Sequence, residues 1–127
     1  MKLHGLGKRE RLRGKKRVEA VFASDKSGFC YPFRYIYRTE AAGEAEAGVA
    51  VLVSVPKRNH KRAVVRNLLK RRTREAFRLR KNALGESAVQ SGRIVEIALL
   101  YVAKEQLEFN RISHAVEKIL GEIEKGA

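Results

Sequence analysis

The chain has 127 residues, carries 28 Lys and Arg against 14 Asp and Glu, and has a formal net charge of +14. Its length suits one domain, residues 1–127, and an apolar share of 44% supplies a core, which excludes global disorder. A membrane span is excluded as well: the longest uncharged apolar run, residues 97–103, has seven residues, against the ~18 that a span needs.

The N-terminus, Met1-Lys2-Leu3-His4-Gly5, is basic but lacks the apolar block of a secretory signal. Residues 1–14 read as a basic arm, expected to be mobile, with glycines at 5, 7 and 14. Residues 15–23 read as a short helix, with Val18, Val21 and Phe22 on one face. A turn over 24–28 leads into an aromatic and β-branched stretch, 29–38, that reads as one strand or two, broken at Pro32. Alternation puts Phe33, Tyr35 and Tyr37 on one face and Arg34, Ile36 and Arg38 on the other. Residues 39–48, rich in Glu, Ala and Gly, read as a hairpin loop, and 49–55 as a Val-rich strand stopped by Pro56.

Residues 63–81 form the longest helical pattern. Val65, Leu68, Leu69, Ala76 and Leu79 share an apolar arc, and Asn67, Lys70, Arg71, Arg74, Arg78 and Lys81 occupy the opposite one. Arg72 falls within the apolar arc, so its stem is expected to pack there while its head reaches the rim. Residues 82–92 read as a polar loop. Residues 93–103 are apolar on both faces apart from Glu96, as in a covered central strand. Asn110 is a candidate N-cap for a last amphipathic helix carrying Ile112, Val116, Ile119, Leu120 and Ile123. The pattern is that of an α+β or α/β two-layer sandwich, a small mixed sheet with helices packed on it. The long helix between two apolar strands favours their parallel pairing.

The charge is concentrated. Residues 1–17 carry net +7 and residues 57–81 net +11, while 18–56 and 82–127 are each net −2. Two cationic blocks on an acidic remainder point to a polyanion, with nucleic acid first. Like charges on a helix face repel by about 0.2–0.5 kcal/mol per pair, a term that a row of phosphates reverses. The loop cations Lys57, Arg58, Lys61 and Arg62 precede the helix N-terminus, where the helix dipole disfavours them. Arginine suits phosphate because its planar fork binds two oxygens. Glu75, the one acid of the block, is expected to pair with Arg71 or Arg78, and His60 is a candidate phosphate contact.

The signals for chemistry by the protein itself are missing. His4, His60 and His114 share no metal-ligand spacing, and there is no phosphate loop or Ser-His-Asp pattern. A nuclease needs clustered carboxylates for metal ions, and the basic block nearly lacks them. The single cysteine, Cys30, makes no internal disulfide and fits a small strand residue in a reducing cytoplasm. Aromatics offer a second surface: Phe22, Tyr35 and Tyr37, edged by Arg34 or Arg38, are expected to form a groove wall on which unpaired bases stack.

Val53-Ser54-Val55-Pro56-Lys57, followed by Lys61-Arg62-Ala63-Val64-Val65-Arg66-Asn67-Leu68-Leu69-Lys70-Arg71-Arg72-Thr73-Arg74-Glu75-Ala76, resembles the signature of the protein subunit of bacterial ribonuclease P. Arg11-Leu12, Lys15-Lys16 and Phe22 are similar to that family's first helix. Two positions depart: Leu68 stands where the family has Arg, and Val18 where it has an aromatic. The resemblance implies a ribosomal-protein-S5-domain-2-like fold in which the basic helix makes a left-handed crossover. It implies an RNA subunit that, with Mg²⁺, removes the 5′ leader of precursor tRNA. The protein would bind that RNA through Arg66, Asn67, Lys70, Arg71 and Arg74, with Lys61, Arg62 and Arg78 beside them. It would hold the single-stranded leader between the first helix and the sheet, through Phe22, Arg34, Tyr35, Tyr37, Lys57 and Arg58, and would be monomeric outside the complex. The alternatives are a non-catalytic RNA-binding or ribosome-associated protein, which needs no groove, and a module that lays its Arg-rich helix into duplex DNA.

Overall fold

The computed structural model describes residues 14–126. Apart from Gly14, the basic arm over residues 1–14 lies outside the described residues. The elements are α1 (Lys15–Phe22), β1 (Ser27–Cys30), β2 (Phe33–Ala41), β3 (Gly48–Ser54), α2 (Ala63–Arg80), α3 (Asn82–Gln90), β4 (Arg93–Tyr101) and α4 (Phe109–Gly126). The aromatic stretch is two strands, joined through a cis Tyr31–Pro32 bond.

The four strands form one sheet in the order β1-β2-β4-β3. β3 and β4 pair in parallel, as a connecting helix requires, and the other neighbours are antiparallel. Residues 39–48 are therefore not a hairpin loop. β4 lies between β2 and β3, and the connection passes its start, where the Ala42 N–H donates to the Gly92 carbonyl at 2.8 Å.

The sheet has a closed face and a partly open one. On the closed face Phe33, Val51, Val53, Ile97, Leu99 and Tyr101 pack with Leu69, Phe77, Ile112, Ile119 and Ile123 of the helices. Phe33 and Tyr101 meet edge to face, with ring centroids 5.6 Å apart. α1 sits on the opposite face, where Val21 packs on the small side chains Ala50 and Ala98.

Two helices differ from expectation. Residues 82–90 are helical because Leu84 and Ala88, one turn apart, are buried against the core, a two-residue signal too short to show as periodicity. In α2 the buried stripe is Leu69, Thr73, Ala76 and Phe77, and Leu79 is exposed. Thr73 belongs to that stripe because its hydroxyl donates to the Leu69 carbonyl at 2.8 Å and leaves no unpaired polar group. Lys81, expected on the cationic arc, is buried at the helix end. Arg72 does what its position predicts: its Nη1 donates to the Leu107 carbonyl at 2.8 Å. Asn110 falls in the first turn of α4 rather than at its cap.

Candidate nucleic-acid interface

The cationic side of α2 runs from Asn67 to Arg78, about 16 Å along the axis. Asn67, Arg71 and Arg74 are exposed, and Lys70 and Arg78 are half-buried. Arg78 Nε donates to Glu75 at 3.0 Å, which settles Glu75's partner. That bond holds the Glu75 carboxyl below its ordinary pKa.

The 57–62 loop leads into this helix and is fastened from below. Asn59 Nδ2 donates to the Val102 carbonyl at 3.3 Å, and His60 Nε2 to the Ala103 carbonyl at 2.8 Å. His60 is buried edge-on against Tyr101, so it is a fastener of the loop and not an exposed phosphate contact. Arg66 Nη1 donates to the His60 and Lys61 carbonyls at 2.9 and 2.8 Å. Part of the Arg66 fork thus closes the loop, and Lys57, Arg58, Lys61 and Arg62 stand exposed around it.

The groove wall expected from Tyr35 and Tyr37 is not where the sequence put it. Phe33, Tyr35 and Tyr37 do share a face, but it is the α4 face, and α1 covers the other. Tyr35 is buried, and that burial pushes its phenol above the ordinary value. Its ring lies under Gly28, where a Cβ would stand 2.4 Å from the Tyr35 hydroxyl. Tyr37 reaches the last turn of α4, its hydroxyl 2.8 Å from where a Gly126 Cβ would be. Alternation tells which side chains share a face. It does not tell which face a helix from elsewhere in the chain will cover.

The register builds the α1-side surface as three cross-strand rows. Arg38, Glu96 and Ala50 form the first; Ile36, Ala98 and Leu52 the second; Phe29, Arg34, Leu100 and Ser54 the third. α1 covers the first and packs over only part of the second, where Ile36 and Leu52 stay half-buried. Glu96, only 1% exposed, accepts from Arg17 Nε of α1 at 2.6 Å and from Arg38 Nε at 2.7 Å. This pairing and Val21 seat the helix. Burial then fades: Ala50 and Ala98 are buried, Ile36, Leu52, Leu100 and Ser54 are half-buried, and Arg34 and Phe29 are exposed. Among the described residues the third row is a bare band about 14 Å across. Phe22 is 43% exposed at the end of α1. Past Ser54 the chain turns through Pro56 into Lys57 and Arg58, so the cationic loop joins this band to α2.

Phe29, Ile36, Leu52 and Leu100 are the surface residues that sequence reasoning missed. Their signal was present in the alternation of the four strands, but it needed the β1–β2–β4–β3 register to become a surface.

A family model described as ribonuclease P matches residues 6–124. The chain belongs to that family. Ribonuclease P protein components from two strains of Porphyromonas gingivalis are 37% and 36% identical over 116 residues, each covering 91% of this chain and 84% of the relative. The Staphylococcus aureus RNase P protein superposes with a TM-score of 0.64 at 19% identity, over 90% of this chain and 94% of that one. A mutant of that protein with defective mRNA degradation activity gives 0.68 at 21%, over 91% and 89%. At these identities the two structures speak for the fold. Membership makes the chain the protein component of a tRNA-processing endoribonuclease with an RNA subunit as its partner. No described helix is long and apolar enough to cross a membrane.

Proposed function

We propose that this chain binds the catalytic RNA of ribonuclease P along α2 and presents the bare band of its sheet to the 5′ leader of precursor tRNA. The observation that carries this reading is the junction of the two surfaces at one cationic loop. A strand of RNA leaving a site beside α2 meets Lys57 and Arg58 first and the band next.

The RNA is the catalyst in this reading, and the protein supplies charge and position. Phosphates along Arg71, Arg74, Lys70 and Asn67 convert mutual repulsion on the helix into attraction. Lys61, Arg62 and Arg78 extend that row, and Arg66 contributes by holding the loop. Leader nucleotides lie over Leu100 and Ile36 beside Phe22 and Arg34, where stacking and apolar contact need no fixed sequence. Tyr35 and Tyr37 take no part.

Among the described residues there is no cluster of three or more His, Cys, Asp or Glu able to hold a metal ion. In this reading the Mg²⁺ is held mainly by the RNA. The protein acts in the cytoplasm and is a monomer outside the complex.

Precursor tRNA cleavage by a bacterial ribonuclease P RNA at low Mg²⁺, with and without the protein, tests the reading. Cleavage at the mature 5′ end only when both are present supports it. RNA binding that leaves cleavage unchanged would instead make the chain a non-catalytic RNA-binding protein.

A further inference from the structure

Phe29 is 65% exposed on an edge strand. Folding gives no reason for it, since a bare apolar side chain at a sheet edge invites wrong pairing. Its place in the register supplies one. Phe29 lies directly opposite Arg34, on the α1 side of the sheet but in the row that α1 leaves bare. Directly opposed side chains have Cβ atoms ~4.5–5.5 Å apart, within reach of a ring and a guanidinium. Among the described residues Arg34 has no carboxylate partner. Phe29 and Arg34 end the bare band on the side away from Lys57 and Arg58.

We propose that Phe29 and Arg34 form an outer subsite for one unpaired nucleobase of the leader, stacked on the ring with its neighbouring phosphate on the guanidinium. The inference rests on the reading of the band as the leader's path. α2 holds the catalytic RNA in that reading, so the loop end of the band is nearest the cleavage site and the β1 end is farthest. The subsite therefore engages only leaders long enough to cross the sheet. It is indifferent to base identity, because every base has a face to stack.

The test is a coupling measurement on the reconstituted holoenzyme. Precursor tRNAs carry either a full leader or a leader with one abasic position, scanned along its length, and their affinities are measured with wild-type protein and Phe29→Ala. With wild type, one leader position remote from the cleavage site loses about 5- to 10-fold when made abasic. With Phe29→Ala that position loses nothing further, and Phe29→Tyr restores the dependence. Arg34→Ala lowers affinity for the same long leaders and not for truncated ones.

If no leader position couples to Phe29, or if Phe29→Ala weakens truncated and full leaders alike, the subsite is wrong. Phe22→Ala and Lys57→Ala separate the two levels of the argument. Should they change leader affinity while Phe29→Ala does not, only the outer subsite falls; should none of them change it, the leader path itself falls. Because Phe29 is exposed, its replacement leaves the thermal midpoint unchanged, so a folding defect does not enter the comparison.

Discussion

The two faces of one sheet do different work. The α4 side buries aromatic and branched side chains from both layers, with Phe77, Tyr101 and Ile119 fully enclosed. The α1 side has one fully buried helical side chain, Val21, small residues beneath it, and a charge at its centre. β2 supplies both faces by alternation, aromatics to one and Arg34, Ile36 and Arg38 to the other. Stability is concentrated on the closed face. In the proposed reading the open face is left for the leader, which gives its cations and the exposed Phe29 a use.

The largest effect should come from breaking the closed face. Phe77→Ala is expected to cost about 3–5 kcal/mol in urea unfolding, whereas Ile36→Ala, half-buried on the open face, costs about 1 kcal/mol or less. Ile36→Ala should still weaken leader binding. Equal losses of stability from the two would remove the asymmetry.

Glu96 sharpens the comparison because it ties α1 to the open face. Glu96→Gln weakens two charge-assisted bonds, a loss of about 1.5–3 kcal/mol, and amide exchange in α1 should speed up. The same change unmasks Arg17 and Arg38, so non-specific binding of single-stranded RNA at low salt should rise as stability falls. A fall in both would mean that Glu96 acts only by packing.

Substitutions on α2 should spare stability and change the salt response. Arg74→Ala and Arg71→Ala are each expected to leave unfolding within about 0.5 kcal/mol. Each should reduce the slope of log affinity against log salt for the catalytic RNA by about 0.7–0.9. An unchanged slope would place these side chains away from phosphate.

Much of this was legible in the sequence, and the failures have a common cause. The strands of β2 and β4, the parallel β3–β4 pair and the snorkelling Arg72 follow from local pattern. What failed depends on contacts distant in sequence. α3 forms because Leu84 and Ala88 meet a core made elsewhere. β2 and β3 are no hairpin because β4 inserts between them. Tyr35 and Tyr37 were placed in the groove because alternation cannot say where α1 docks. Phe29 looked like an ordinary strand residue until the register set it opposite Arg34. His60 looked like a phosphate contact in a basic loop until the chain just past β4 provided a carbonyl beneath it.

The subtlest readout concerns a hydroxyl on the closed face, whose contribution carries a definite sign in pH. Tyr101 Oη donates to the Glu105 carbonyl at 2.6 Å and accepts from the Leu107 N–H at 3.0 Å. Tyr101→Phe loses both bonds and is expected to cost about 1–2 kcal/mol at neutral pH. Burial pushes the Tyr101 phenol above its ordinary value, although the Leu107 N–H opposes this by favouring the phenolate. The folded protein therefore holds the phenolic proton more tightly than the unfolded chain does. The resulting stability is complete below the unfolded tyrosine value of ~10 and is lost as pH rises through the higher folded one. Urea unfolding of wild type and Tyr101→Phe across that range should show their difference shrinking above about pH 10. Leader affinity near neutral pH should be the same for both, because Tyr101 lies on the face away from the band. A constant gap would mean that Tyr101 ionises as readily in the fold as outside it. A change in leader affinity would mean that the loop end of the band depends on the closed face through His60, which packs on Tyr101.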